Sequence, residues 1–554
     1  MSVYGIDLGT TYACIAKVKD DGTVEAIRNQ TDQKTTLASA IFFDYDGNYI
    51  VGDAAKEAMA DAPDRLCQFF KRYIGRPELL ERARANEPNL YIIDGIERDP
   101  IALTALVLKK ICAYCEEQGE IVRDAVITYP ADFDLSQKEA MRKAAELVGI
   151  NVLGMINDIT AAAMNYACTQ GMDAVDEQKV LLYHLGGGTC STALMQLTHR
   201  ENGELVIQML GYNGDNELGG IEWDWSLEEL VKRKFAEEAG CSMDDISQNV
   251  TLAIRSQVEK QKQHLTERTN VTFKFIDDDE SRRKIPVTRE EFDEVTSVHL
   301  SNTIELVKSV LSQNAMEPYD VDVVLLDGGS TLMPQVKAVL SKLFGEDKIV
   351  LSDPYQAAAK GAAIVALNIK NNLPELCNSI PLLDMYNFSQ NTHPSEPATD
   401  HRGIMQILNY SPISVGIVFM DDFDEMGNAK YNVHNFLKVG DIVPCESELF
   451  DFCTNNEEQK SIMVLLVISF SRDLIIPVKK AAYNTFFTDD ISIDLNSIYW
   501  RIPIHAPHAR HTEVRLNFSM NCRGEMRLRA EIPETGECNE LNLLYHQTYE
   551  IKRV

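Results

Sequence analysis

The chain has 554 residues, 45% of them hydrophobic, with 84 Asp and Glu against 53 Lys and Arg and a formal net charge of −31. Such a composition is that of a globular chain of about three or four domains or lobes, and its charge excludes a general binder of nucleic acid or anionic membrane, which needs clustered Lys and Arg. The start MSVYGIDLGT has no basic region followed by an apolar one, so no signal peptide is expected, and no apolar run approaches the roughly 18–20 residues of a spanning helix.

In chain order, Val3–Asp7 is a short apolar run that ends in the turn Gly9-Thr10-Thr11. Asp44-Tyr45-Asp46-Gly47-Asn48 has part of a calcium loop but no terminal glutamate, and reads as a hairpin turn at Asp46-Gly47. Cys112 and Cys115 form one CxxC in a helix-like stretch with no second pair, which argues against a metal or redox site. The twelve cysteines are scattered, which favours reduced thiols and a cytoplasmic location. Asp124–Tyr129 is a further apolar strand, and Ala140, Met141, Ala144, Leu147 and Val148 follow at helical spacing. Val180–Leu185 runs into His184-Leu185-Gly186-Gly187-Gly188-Thr189. Asp277–Glu280 reads as a solvated turn. Thr288 and Glu291 form a capping box ahead of Phe292, Val295 and one long helix through Leu311. Val321–Leu326 is a strand that meets Gly328-Gly329.

Alternating strands and helices imply α/β layers over residues 1–370. The two strand–glycine–threonine units form a weak internal repeat and suggest two related lobes facing one another. Residues 371–403 are rich in Asn, Pro, Ser and Thr without a period and read as a linker. Residues 404–554 are all-β, with strands expected at Ile413–Phe419, Lys430–Phe436, Ser461–Phe470, Glu513–Met520 and Glu525–Ile532. His505, His508 and His511 recur at three-residue spacing in an expected loop, without the carboxylates that would make a convincing metal site.

Glycine turns let backbone N–H groups converge on an anion, and a following Thr adds a hydroxyl donor. Two such turns on facing lobes would hold a polyphosphate. Asp7, at a strand end, is placed to orient Mg²⁺ through its waters.

These motifs, taken in order, resemble the heat-shock-70 (DnaK-type) chaperones. They are IDLGTT at 6–11, FFKRYIGRP at 69–77, AVITYPADF at 125–133, INDITAAAMNYA at 156–167, HLGGGT at 184–189, NGDNELGG at 213–220, VEKQKQHLT at 258–266 and LLDGGSTLMP at 325–334. The resemblance implies a two-lobed actin-like ATPase domain, a β-sandwich peptide-binding domain, and ATP or ADP with Mg²⁺ as cofactors. It implies phosphate contacts from Gly9, Thr10 and Thr11 and from Gly186, Gly187, Gly188 and Thr189. Lys71 would place charge at the γ-phosphate and help orient the attacking water. Glu259, Lys262 and Thr266, with Gly328, Gly329 and Ser330, would line the adenosine pocket. Pro130 and Lys138 match a pair that relays nucleotide state to the next domain.

Several positions depart from the family pattern. His184 and Ser191 stand where Asp is usual, Asp158 where Glu is usual, Ile159 where Pro is usual, and Leu332 where an arginine stacks on adenine. Imidazole is a poor substitute for carboxylate around Mg²⁺, and losing a water-orienting carboxylate costs ~10²–10⁴-fold in rate. A protonated His184 would instead pair with phosphate. ATP binding with weak or impaired hydrolysis is therefore expected.

GIMQILNYSPISVG at 403–416 resembles the interdomain linker and first strand of the peptide-binding domain, and residues 513–537 resemble its last hairpin. Ile417, Phe419, Met420, Phe450, Cys453, Ile462 and Val464 are candidates for its apolar peptide pocket, or for sandwich core. The family's helical lid is expected next, but the sequence stops at Val554, and a clamp without a lid releases peptide quickly. Gly154 and Asn409 replace charges used for J-domain contact, with Asp384 as another linker match, so conventional J-protein stimulation is not expected. Extended polypeptide and a nucleotide-exchange factor are the implied partners. The leading reading is a nucleotide-controlled chaperone that clamps extended apolar segments. The alternative is a nucleotide-binding, non-hydrolysing scaffold that recruits a dedicated partner. A metabolite kinase on the same fold is disfavoured by the second domain.

Overall fold

The computed structural model describes residues 2–371 except 20, 60, 61, 86, 132, 134, 170–176 and 200–204, and strand-forming stretches within 405–544. Beyond Asn371, the expected linker lies outside the described residues, as do His505, His508 and His511. The chain divides into two compact units. Residues 1–207 and 211–373 belong to the first, and 405–554 with 208–210 to the second.

Two of the sheets in the first unit are built by the same rule. In the first, strands Tyr4–Leu8, Tyr12–Val18, Val24–Ala26, Asp124–Tyr129 and Asn151–Asn157 lie in the chain order fifth, fourth, first, second, third. The strand at Thr36–Ala38 pairs beside them on Tyr12–Val18. In the second, Glu177–Leu185, Cys190–His199, Leu205–Asp215, Val323–Asp327 and Ile349–Leu351 follow that same order. In both sheets the first strand pairs antiparallel with the second and parallel with the fourth. The weak repeat in sequence is thus a repeat of topology. The central strands are buried on both faces, which explains their unbroken apolar runs such as VVLLD.

Two helices carry the chain between the lobes. Asp158–Thr169 follows the last strand of the first sheet, and Asn157 caps it by accepting from Thr160 N at 2.6 Å. Ala357–Asn371 follows the last strand of the second sheet and packs back on the first, where Cys14, Ala16 and Ala26 bury against Ala359 and Ala363. Small residues at these contacts let backbones approach closely. A Cβ on Gly5 would strike Ala363 N and Ala359 O, and one on Gly361 would strike the carbonyl of Ala161.

Local expectations met different outcomes. The capping box forms, with Thr288 N donating to Glu291 Oε2 at 2.8 Å and Glu291 N to Thr288 Oγ1 at 3.2 Å. The long helix it was expected to start is two helices, Arg289–Val295 and Ser297–Gln313. The break is at buried Thr296, whose hydroxyl donates to Phe292 O and accepts from Gln335 Nε2. Asp44 closes a hairpin turn by accepting from the amides of Asp46 and Asn48. Asp277 does not end a merely solvated turn, because its carboxylate accepts from Arg283 Nε at 2.6 Å and from the amide of Ser281. Cys112 and Cys115 are buried in the core of the first lobe, and burial pushes both thiols up to about 12. Among the described residues, no group of three or more His, Cys, Asp or Glu is placed to hold a metal ion, and no helix is long and apolar enough to cross a membrane.

The second unit is antiparallel β. Ser414–Phe423 pairs with Ala429–Leu437 and Ser461–Ser469, and Glu513–Met520, Glu525–Ile532 and Glu537–Leu544 form a meander. Val514, Leu516 and Phe518, and then Leu528, Ala530 and Ile532, are buried at a period of two. Phe436 stacks on Phe518 at 6.3 Å between ring centres, joining the two groups of strands.

The contact at Gly361 is open to test. Gly361→Ala inserts a methyl group into the Ala161 backbone, and overpacking of this kind costs about 1–3 kcal/mol. Its urea midpoint is expected to fall at unchanged slope. A midpoint equal to the parent's contradicts the close packing of these helices.

Candidate functional site

The two glycine turns are closed alike. Gly9 N donates to Tyr12 O at 2.9 Å, and Gly186 N donates to Thr189 O at 2.9 Å. Each follows the first strand of its sheet, so the two turns occupy equivalent places in the two lobes. Between them is a cleft of about 380 Å³, within the usual size of a small-molecule site.

Adjacent cations of one short segment reach the two turns. Phe69, in the left-handed region at φ 63°, starts the 3-10 turn Phe70–Tyr73. Buried Lys71 donates through Nζ to the Leu8 carbonyl, beside the first turn. Arg72 Nη2 donates to Gly188 O at 2.9 Å in the second and pairs with Glu222. Glu222 in turn accepts from Gly219 N at 2.6 Å and so caps the helix Gly220–Ala239. The hydroxyl of Thr11 is buried against Gly187 and has no hydrogen-bond partner among the described residues. A ligand oxygen would satisfy it.

The other end of the cleft is built by the helix Gln248–Glu267, which presents Glu259, Lys262 and Thr266 on one face. Glu259 accepts from Lys56 Nζ at 2.6 Å and from Tyr12 at 3.0 Å. Lys262 donates to Gly220 O at 2.6 Å and pairs with Asp224 at 2.9 Å. Asp224 Oδ1 is buried without a partner among the described residues, and burial raises this carboxyl to about 6. Gly328 has φ 86° and lies against the Leu185 carbonyl, a place that only glycine fills without strain. Ser330 Oγ donates to Gly186 O at 2.9 Å. Leu332, Met333, Pro354 and Tyr355 make a largely apolar wall.

Asp7 and His184 hold matching positions at the ends of the first strands, one residue before the last, but their hydrogen bonding is reversed. Asp7 Oδ1 accepts from Thr128, on the neighbouring parallel strand, at 2.5 Å. His184 Nδ1 lies 2.7 Å from Asp327 Oδ2, its register partner on the equivalent parallel strand. Burial pulls the imidazole down, but the hydrogen bond and charge of Asp327, with Asp158 and Asp7, outweigh it and raise His184 to about 9. The shift is toward the imidazolium, and with Asp327 fixed at Nδ1 the ring donates Nδ1–H to it. Burial raises Asp158 to about 6, against the pull of His184 and Lys71. Asp7 is raised by burial and held back by Lys71.

The cleft brings together Asp7, Gly9, Thr10, Thr11, Lys71, Asp158, His184, Gly186, Gly187, Thr189, Glu259, Lys262, Thr266, Gly328, Gly329, Ser330 and Pro130. Gly188 is set back from its wall, against Gly219 and Arg72. Lys138 is placed over the Tyr129 ring at 4.3 Å. Ser191 lies beside His184 across the sheet and bonds to Tyr212 rather than facing the cleft. In the second unit Ile417 and Val464 are buried strand residues. Phe419, Met420, Phe450, Cys453 and Ile462 are on strands, but their side chains lie outside the described residues. Sequence reading passed over Asp327, Asp224, Tyr12 and Tyr355. Asp327 had a signal: in LLDGGS, as in GIDLGT, an acid ends a strand just before a glycine turn.

Comparison with known proteins comes to the same region. The family described as Hsp70 protein matches residues 3–392. The chain is 33% identical over 372 residues to the chaperone protein DnaK of Thermotoga petrophila, of Thermotoga neapolitana and of Thermotoga maritima. Each match covers 66% of this chain and 59% of the relative, so less than two thirds of the relatives' own length is represented.

The charge on His184 has a measurable consequence. A histidine raised from 6.5 to about 9 on folding contributes stability that is complete below about 6.5 and lost as pH rises through about 9. The Cε1–H resonance of His184 is expected to titrate near pH 9. The parent's urea midpoint should fall between pH 7 and 9.5 by more than that of His184→Gln. A resonance titrating at or below 6.5 contradicts the assignment.

Proposed function

The chain belongs to the Hsp70 family, and on that footing we propose that its cleft binds ATP and ADP and that it acts as a chaperone of the Hsp70 type with slow hydrolysis. The family carries an actin-like nucleotide-binding domain, which accords with the two matched α/β lobes of the first unit. The observation that carries the reading is the pair of identically closed glycine turns facing one cleft, with the hydroxyl of Thr11 between them, unpartnered among the described residues.

In this reading the phosphates meet Gly9, Thr10 and Thr11 from one lobe and Gly186, Gly187 and Thr189 from the other. Lys71 sets a positive charge at the terminal phosphate. The nucleoside rests against Glu259, Lys262 and Thr266 on one side and Gly328, Gly329 and Ser330 on the other. Leu332 offers the base an apolar contact rather than a planar cation, and Tyr355 supplies an aromatic edge to the same wall.

Slow hydrolysis follows from the proton inventory. An imidazolium already bonded to Asp327 takes no proton from an attacking water, so the Asp–His pair is not a general base here. Asp158, a carboxyl raised to about 6, is the group that accepts it. Phosphoryl transfer depends on placing charge and water correctly, and His184 puts a second cation where the rest of the family pattern has a carboxylate.

Chaperones of this family bind nucleotide with magnesium. Around 184, the residues of this cleft do not fit a divalent ion. Asp7, expected to orient its waters, gives Oδ1 to Thr128 and feels the charges of Lys71 and His184. At 184 the group offered is an N–H donor, whereas Mg²⁺ needs oxygen acceptors.

The second unit would hold extended polypeptide by strand addition and an apolar pocket that includes Ile417, Phe419, Met420, Phe450, Cys453, Ile462 and Val464. Pro130 and Lys138 would relay nucleotide state to it. A nucleotide-exchange factor is the partner most in keeping with slow turnover, and J-domain stimulation is not part of the proposal.

Calorimetry with ATP and ADP and single-turnover hydrolysis test this reading. Both nucleotides are expected to bind, and His184→Asp is expected to hydrolyse ATP roughly 10²-fold faster than the parent. Failure to bind either nucleotide ends the proposal, and an unchanged rate removes His184 as the brake. On a peptide array, binding to many apolar peptides that ATP weakens is expected. Selectivity for one partner, indifferent to ATP, would instead favour a scaffold.

A further inference from the structure

The free end of the His184 ring points to how the cleft balances phosphate charge. Nδ1 is committed to Asp327 at 2.7 Å. Nε2 lies at the second glycine turn, where a Cβ on Gly186 would come within 2.9 Å of it. Nε2 has no hydrogen-bond partner among the described residues, and His184 lines the cleft. The surrounding backbone is already engaged: Gly186 O accepts from Ser330 Oγ and Gly220 N, and Gly187 O from Ile221 N. The ring is thus clamped at one end and presents one unsatisfied nitrogen to the place where phosphate is read.

Three carboxylates and two side-chain cations surround this end of the cleft: Asp7, Asp158 and Asp327 with Lys71 and His184. The Asp327 carboxylate held at Nδ1, with Asp7 and Asp158 nearby, favours the doubly protonated form of the ring, in which Nε2 is a donor. A donor binds a phosphate oxygen and repels a metal ion.

We propose that His184, clamped by Asp327, binds nucleotide phosphate through Nε2–H in place of a divalent metal, so that the cleft takes metal-free nucleoside di- and triphosphates. This rests on the nucleotide-binding reading above and concerns how that same site is charged. It also explains why the hydrogen-bond polarity of the second lobe is reversed relative to the first. In the first lobe the strand-end residue is a carboxylate with a hydroxyl donor beside it. In the second the carboxylate has moved to the neighbouring strand, and a cation stands at the strand end. Asp327 is a positioning residue in this scheme, since it acts through the ring.

The experiment is ADP binding by calorimetry to the full chain, in excess Mg²⁺ and in excess EDTA. For the parent, binding in EDTA is expected to be as tight as in excess Mg²⁺ or tighter, because Mg²⁺ draws free ADP into a complex that the cleft does not favour. His184→Asn removes the cation at similar size and is expected to weaken binding in EDTA by about tenfold or more, as loss of a charge-assisted hydrogen bond requires. Asp327→Asn leaves the ring without its anion and is expected to weaken EDTA binding in the same direction, with a His184 Cε1–H resonance that titrates at lower pH. His184→Asp is expected to bind ADP at least about tenfold better with Mg²⁺ than without. Urea unfolding of each variant checks that it is folded. A parent that loses more than about tenfold of its affinity in EDTA overturns the proposal while leaving nucleotide binding intact. So does a folded His184→Asn variant that binds as tightly as the parent in EDTA. Absence of binding by the parent in both buffers overturns the nucleotide reading itself.

Discussion

One hydrogen bond between neighbouring parallel strands sets the character of each half of the cleft. In both lobes the first strand must end beside the fourth before the chain turns back through glycine. The two side chains at that point are forced together by register, and one must donate to the other because both leave water there. Asp7 with Thr128 is one solution, and His184 with Asp327 is the other. The first leaves a carboxylate facing the cleft. The second leaves a cation. The fold tolerates either, because the backbone turn beyond it closes the same way in both lobes.

The remainder of the site depends on holding these two ends at a fixed separation. Lys71 and Arg72 are neighbours in sequence, yet one bonds to the first turn and the other to the second. A single short 3-10 turn therefore measures the gap. At the far end, Lys56 and Tyr12 from the first lobe converge on Glu259 from the second. The cleft is bounded by polar contacts that span it at both ends, with an apolar wall between.

Much of this was legible in the sequence where the determinants are local. Strands such as Asp124–Tyr129, Glu513–Met520 and Glu525–Ile532 end where their apolar pattern ends, since period and turn chemistry act over a few residues. The glycine turns and Lys71 were legible by motif. The partnership of His184 with Asp327 was not, because it joins residues far apart in the chain through strand register, which no short window contains. The kink at Thr296 escaped for a similar reason: the helical pattern of apolar residues runs through it, and its hydroxyl is fixed by Gln335 from a later helix. Tyr355 reached the wall of the cleft only through the close approach of its ring to Gly329.

The helices Asp158–Thr169 and Ala357–Asn371 meet at Gly361 and Ala161 with almost nothing but backbone between them. Interlocked side chains would act as teeth, and moving one helix past the other would require rotamers to reset. A toothless contact is a plain bearing. A shift of the two crossings between lobes would meet no rotamer barrier at this point, and the polar spans at the rim are what such a shift would stretch first. In this molecule the joint is made of what is missing from its alanines and glycines, and the stops are made of charge.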